Sequence, residues 1–261
     1  MEKSFEIIQS PFGNFLINQH DLIGNYIQQT GTWESHLYDF YSKVLDKDDI
    51  CIDAGANLGY HAVQFGKLSK KVYAFEPQSL VFNQLCANIL FNDLNEVIIP
   101  SKNALGDKVE IKQMWFIEKE NFGNGIYNWG GRGLEHKDSV YKSDDIREYD
   151  QVNVISLDSL NINKCSLFKI DIQGYEYYAF MGAKTLIEDN KPIILLESAP
   201  ERSELDVKVL NYLQELGYEN YRYYTNQNED CILIHPLNKK YNVCLEQINL
   251  IKTIHNIKQD F

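Results

Sequence analysis

From residue 50 onward the chain alternates between two hydrophobic rhythms. Short apolar runs such as Ile50-Cys51-Ile52 and Val72-Tyr73-Ala74-Phe75 are separated by longer segments whose apolar side chains recur every three or four positions. The short runs read as strands over 50–54, 71–75 and 97–100, and the longer segments as helices over 58–68 and 78–91. After residue 165 the rhythm returns: a strand over 166–172, a helix over 175–188 stopped by Lys191-Pro192, then the apolar strand Ile193-Ile194-Leu195-Leu196. A strand without polar alternation is expected where helices cover both faces of a sheet. A helix over 203–216 ends at Gly217, which suits a left-handed cap. Strands over 218–225 and 230–235 flank the turn-rich Asn226-Gln227-Asn228, and 245–258 is weakly amphipathic. Ahead of residue 50, the alternation in 5–30 reads as a short hairpin, and Leu37, Tyr38, Tyr41, Val44 and Leu45 place a helix between Trp33 and Leu45.

Strands and helices spaced in this way form βαβ units. They predict an α/β fold with a mostly parallel sheet, right-handed crossovers and an antiparallel pair at one edge. Residues 101–155 break the rhythm and read as a long insert after the third core strand, with Asn121-Phe122-Gly123-Asn124-Gly125 and Trp129-Gly130-Gly131-Arg132-Gly133 as its turns. The 261 residues, 44% of them apolar, suffice for a single domain, with residues 1–48 as an N-terminal hairpin and helix extension.

Charge and cysteines narrow the setting. A net charge of −12 repels phosphate backbones and argues against nucleic acid as a partner. The five cysteines include no CxxC pair and read as buried thiols of a reducing compartment. MEKSFEIIQS is not a signal peptide, and no apolar run approaches the ~20 residues of a membrane span, so a cytoplasmic protein is expected.

The chemistry concentrates at Cys51-Ile52-Asp53-Ala54-Gly55-Ala56-Asn57-Leu58-Gly59, where a strand ends in an acid and turns through glycines into a helix, and at Glu76-Pro77, at the end of the next strand. This outlines a nucleoside site on an α/β sheet. The glycines are spaced GxxxG, not the GxGxxG of a dinucleotide site, and a pyrophosphate over the turn would meet Asp53. S-adenosylmethionine carries no phosphate, and its ammonium and sulfonium are cationic. Asp53 is expected to orient the ammonium, Gly55 to let the backbone approach the ligand, and Glu76 to accept both ribose hydroxyls. The alternatives are a plain strand–turn–helix with Asn57 as its N-cap, a nicotinamide-dependent oxidoreductase on a similar sheet, and a nucleoside-binding module without turnover.

The chain resembles the FkbM-type S-adenosylmethionine-dependent methyltransferases. The matching pieces are Ile52 to His61, Ala74 to Pro77, Asn88 to Asn92, Asn103 to Asp107, Leu157 to Leu160, Lys169 to Glu176 and Leu195 to Glu197, with Gly31-Thr32-Trp33-Glu34 ahead of them. One departure is Gln173, where many relatives carry Glu. The resemblance implies a Rossmann-like, seven-stranded sheet and methyl transfer to oxygen, with sugar, glycan or polyketide hydroxyls as acceptors. It also implies a cofactor site of Glu34, Asp53, Gly55, Ala56, Asn57, Gly59, Glu76, Pro77, Asn103, Ala104 and Asp171.

The acceptor side follows from the chemistry of an in-line displacement at an alcohol, which needs a nearby group to take the proton. Asp171 and Glu197, at the carboxyl ends of two strands, are the candidate catalytic residues. Asp171 beside a sulfonium is expected to stay ionised. Lys169, on the same strand face, is expected to pair with a carboxylate. Asn128, Trp129, Gln173, Glu176 and His136 are the candidate acceptor contacts, with the 101–155 insert as the acceptor wall. No cluster has metal-ligand spacing, and no metal is expected.

Overall fold

The computed structural model describes residues 4–116, 125–134, 148–197, 204–224, 229–254 and 258–259. The first elements are a hairpin, β1 (Phe5–Ser10) and β2 (Gly13–Asn18), and two helices, α1 (Leu22–Thr30) and α2 (Ser35–Val44). The hairpin stands as expected, but the alternation hid α1. Asp21 caps that helix by accepting the Gly24 N–H at 3.0 Å, and Gly31 ends it at φ +80°.

The parallel core begins with β3 (Ile50–Ala54), α3 (Tyr60–Leu68), β4 (Lys71–Phe75), α4 (Ser79–Phe91) and β5 (Ile98–Ser101). It resumes with β9 (Leu167–Ile170), α5 (Glu176–Met181), α6 (Lys184–Asn190), β10 (Ile193–Glu197), α7 (Glu204–Glu215), β11 (Glu219–Tyr224) and β12 (Glu229–Ile234). α8 (Tyr241–Ile254) and the two-residue β13 (Lys258–Gln259) close the chain. The helix read over 175–188 is two helices. The break falls at Gly182, where the Gly106 carbonyl oxygen approaches so closely that it leaves no room for a Cβ.

The main sheet has the order β13-β11-β12-β10-β9-β3-β4-β5. β10-β9-β3-β4-β5 are parallel, and β12 and β11 add antiparallel strands at one edge. The sheet has eight strands where seven were expected, with β13 pairing with Tyr221 and Arg222 at its edge. Burial on both faces explains the unalternating strands: Cys51, Leu167 and Leu195 join one apolar cluster, and Ile52, Phe168 and Leu196 the other.

The insert is more regular than its sequence suggests. β6 (Ala104–Leu105), β7 (Glu110–Phe116) and β8 (Glu148–Ile155) form a second sheet of order β6-β8-β7, with its own core of Ala104, Met114, Val152 and Val154. Leu134 and Tyr175 complete that core. Among the described residues no helix is long and apolar enough to cross a membrane.

Candidate active site

At the carboxyl ends of β3 and β4 the chain forms a turn tied down by its own backbone. The N–H groups of Gly55 and Ala56 both donate to the Phe75 carbonyl, at 3.0 and 2.9 Å. Gly55 (φ +78°) is required because a Cβ there would fall on the Asp171 carbonyl oxygen. The sequence assigned this glycine to close approach of a ligand; the group that fills the space is the end of the neighbouring strand β9. Asn57 is left-handed at φ 50° and donates its N–H to Glu76 Oε2 at 3.1 Å, while the Gln78 N–H donates to Glu76 Oε1 at 2.9 Å. The Gln78 side chain is a further donor to the Glu76 carboxylate. Burial pushes the Glu76 carboxyl up to about 7, against the opposing pull of those donors.

The ends of β9, β10 and β12 carry charge on the face that looks toward α2 and α3. Register sets Lys169 beside Asp53 on β3 and beside Leu195 on β10, and sets Glu197 opposite Asp230 on β12. Lys169 is buried. Burial opposes its charge, but Asp171, Asp53, Glu34 and Glu197 outweigh that and raise its pKa. Its Nζ lies 3.9 Å from Asp171 Oδ2. Glu34, left-handed at φ 44° at the start of α2, meets His61 Nε2 at 3.0 Å, and the other ring nitrogen pairs with the Tyr41 hydroxyl at 3.2 Å. Burial works against the Glu34 carboxylate, yet the His61 ring and Lys169 hold its carboxyl down at about 2. Glu197 is raised well above the usual carboxylate range, first by the charge of Asp171 and then by burial.

A cleft of about 180 Å³ joins these two groups. Of the expected cofactor residues, Glu34, Gly55, Ala56, Asn57, Glu76, Pro77, Asn103, Ala104 and Asp171 line it. Asp53 and Gly59 do not. Asp53 is fully buried beneath the cleft, and neither of its carboxylate oxygens makes a full hydrogen bond. Burial raises its pKa, opposed by Lys169 and His61. Gly59 caps α3 at φ +91° against Leu85.

The acceptor contacts sort similarly. Asn128, Gln173 and Glu197 line the cleft; Trp129 and Glu176 do not. The Trp129 ring lies under the Arg132 guanidinium at 4.7 Å, and its backbone N–H donates to Asp21 Oδ1 at 3.1 Å. Glu176 is buried and closes the turn after β9 by accepting the Ile172 N–H at 2.9 Å; burial pushes its carboxyl up to about 8. His136 lies outside the described residues.

Further residues complete the wall, and of these Gln78, Ile172 and Tyr175 were not singled out in the sequence as site residues. Gln78 donates through Nε2 to the Trp129 carbonyl at 2.9 Å, and with Asp21 it fastens the segment around Trp129 over the cleft. Gly130 sits beside the Asn57 amide, and Arg132 joins it in the wall. Trp33 borders the opposite side, its ring edge-on to Tyr26 at 5.3 Å. Met114, Leu134, Ile172 and Tyr175 give an apolar wall. Among the described residues no group of three His, Cys, Asp or Glu side chains is arranged to hold a metal ion.

The residues present fit S-adenosylmethionine. Glu76 stands in the wall, held by two backbone N–H groups, as an acceptor suited to a ribose diol, and Glu34 and Asp171 line the same cleft.

Comparisons with known proteins agree. The family model described as "Methyltransferase FkbM domain" matches residues 53–219. No curated protein matches the chain in sequence. Among solved structures, an FkbM methyltransferase from Methylobacillus flagellatus KT is 17% identical, with a TM-score of 0.50 over 76% of this chain and 50% of that one. The chain thus spans about half the length of that protein. An rRNA methylase from Streptococcus thermophilus is 15% identical, with a TM-score of 0.47 over 76% of this chain and 93% of that one. M. jannaschii TYW2, solved with AdoMet, is 13% identical, with a TM-score of 0.43 over 89% of this chain and 85% of that one. The expectation that nucleic acid is not a partner does not stand, because net charge alone carried it. Net charge summed over a chain does not describe the local field of a cleft whose wall includes Lys169 and Arg132. The family match spans well over half of the sequence, and the chain belongs to the FkbM family of S-adenosylmethionine-dependent methyltransferases.

Proposed function

We propose that the chain methylates a hydroxyl oxygen, with a sugar or glycan as the acceptor and Asp171 as the group that takes the hydroxyl proton. The observation that carries this reading is the setting of Asp171. Its N–H donates to the Ala54 carbonyl at 3.1 Å, its carbonyl abuts Gly55, and its carboxylate faces the cleft between the Lys169 ammonium and the Gln173 amide. S-adenosylmethionine supplies a methyl group made electrophilic by its sulfonium.

The residues around the cleft divide the remaining work. Glu76 accepts the ribose hydroxyls, and the Gly55–Asn57 turn shapes the floor beneath them. Asp171 accepts the acceptor's proton as the new C–O bond forms, which removes the main barrier to an alcohol acting as nucleophile near neutral pH. Trp33 and Asn128, on the walls, suit the C–H face and the hydroxyls of a sugar ring. The apolar wall of Met114, Leu134, Ile172 and Tyr175 favours a second acceptor class, a polyketide or another small hydroxylated molecule.

The test is a pooled screen of sugars, glycan fragments and hydroxylated aromatics with S-adenosylmethionine, read by mass spectrometry. A methyl ether that forms with wild-type protein and is lost with Asp171→Asn supports the proposal. Methylation confined to nitrogen or carbon overturns it.

A further inference from the structure

We propose that Gln173 is a positioning residue that holds Asp171 and Glu197 on one amide nitrogen, so that a single proton is shared unequally between them. The proposal rests on the hydroxyl-methylation reading in one respect: the use to which the Asp171 anion is put.

The geometry begins with the backbone. Gln173 (φ 56°) and Gly174 (φ 93°) are two successive left-handed residues, a costly conformation for a residue with a side chain. They fold the chain back between β9 and α5, with the Ile172 N–H anchored on Glu176 and the Asp171 N–H on Ala54. The Gln173 side chain is thereby turned over Asp171. Its Nε2 lies 2.6 Å from Asp171 Oδ1 and 3.0 Å from Glu197 Oε2. An amide NH₂ has two protons, and both are used. In this orientation the amide donates to both carboxyl groups.

The surroundings make the two carboxyl groups unlike. Asp171 turns its other oxygen to Lys169 at 3.9 Å, in a neighbourhood that also holds Glu34, Asp53 and His61. Glu197 faces Asp230 directly across the antiparallel ladder, with Glu176 on the neighbouring α5. Two carboxylates facing each other across a ladder repel, and protonating one relieves the contact. A proton resting on Glu197 relieves that contact, in keeping with the upward shift of its pKa, caused first by the Asp171 charge and then by burial. In the transfer step the acceptor's O–H bond breaks and its proton passes to Asp171. The new O–CH₃ bond forms as the S–CH₃ bond breaks, and the sulfonium becomes a neutral thioether.

The test is a carbon-13 titration of side-chain carboxyl groups in the full chain bound to S-adenosylhomocysteine. Asp171→Asn and Glu197→Gln assign the two resonances. The wild type should show two well-separated steps. Gln173→Met removes the shared donor and should move the lower step up by about one pH unit, a tenfold gain in proton affinity. Gln173→Glu adds a third carboxyl group and should move it further. Both steps staying within about 0.3 pH unit of wild type in the two variants would overturn the proposal; if Gln173→Met does not fold, Gln173→Glu decides alone. The titration needs no turnover, so its outcome is separate from that of the hydroxyl-methylation reading, which fails if the methyl group goes only to nitrogen or carbon.

Discussion

The two halves of the site are fixed by different forces. At the ends of β3 and β4, backbone groups hold the proposed cofactor half: two N–H groups on the Phe75 carbonyl and two more on the Glu76 carboxylate. At the ends of β9, β10 and β12, side chains hold the proposed acceptor half: one ammonium, one amide and the carboxylates between them. Backbone scaffolds are insensitive to single charges, whereas a charge network changes with each proton. Changes in the first half should therefore appear in cofactor affinity, and changes in the second in rate.

The largest expected effect tests that division directly. Asp171→Asn should lower turnover by about 10²–10⁴-fold, the usual worth of a positioned proton acceptor, while S-adenosylhomocysteine affinity in calorimetry stays within about threefold. Affinity lost along with turnover would mean that the halves are one unit.

Gly55→Ala probes the seam between them. The added Cβ falls on the Asp171 carbonyl at a backbone angle that disfavours side chains, so a loss of about 2–4 kcal/mol in urea unfolding is expected.

Glu76→Ala should weaken S-adenosylhomocysteine binding by about 10–100-fold, as expected for losing an ionised hydrogen-bond acceptor. The wild-type affinity should also fall as pH drops below about 7, because ribose hydroxyls donate to the ionised carboxylate and burial raises this one to about 7. Calorimetry at several pH values should show this dependence in wild type and its loss in the variant.

The smallest effect concerns stability. Glu176 titrates at about 8 in the folded protein, against an ordinary 4.5. Its folded state therefore binds the proton more tightly, and the stability this lends is complete below 4.5 and lost as pH rises toward 8. Glu176→Gln should accordingly gain on wild type as pH rises from 5 to 8, seen as a Tm difference that grows with pH.

Legibility in the sequence followed the same division. β3 and β4 were readable residue by residue, because short apolar runs ending in an acid or Glu-Pro are local signals. The roles of Gly55 and Asp53 were less so, since one is set by the carbonyl of Asp171 and the other by its register beside Lys169, both more than a hundred residues away. The insert was least readable. Its strands β7 and β8 pair across the stretch that separates them, and the hold of Asp21 and Gln78 on Trp129 leaves no periodic trace. Helix α1 was missed because its turns follow directly on an alternating hairpin.

The most direct measurement uses S-adenosylmethionine labelled in its methyl carbon with the acceptor pool, and reads the position of the label in the product by NMR. The account predicts a labelled methyl ether on a former hydroxyl, formed by wild type and lost in Asp171→Asn while S-adenosylhomocysteine still binds. A label on nitrogen or carbon, or a methyl ether made equally well by Asp171→Asn, would contradict it.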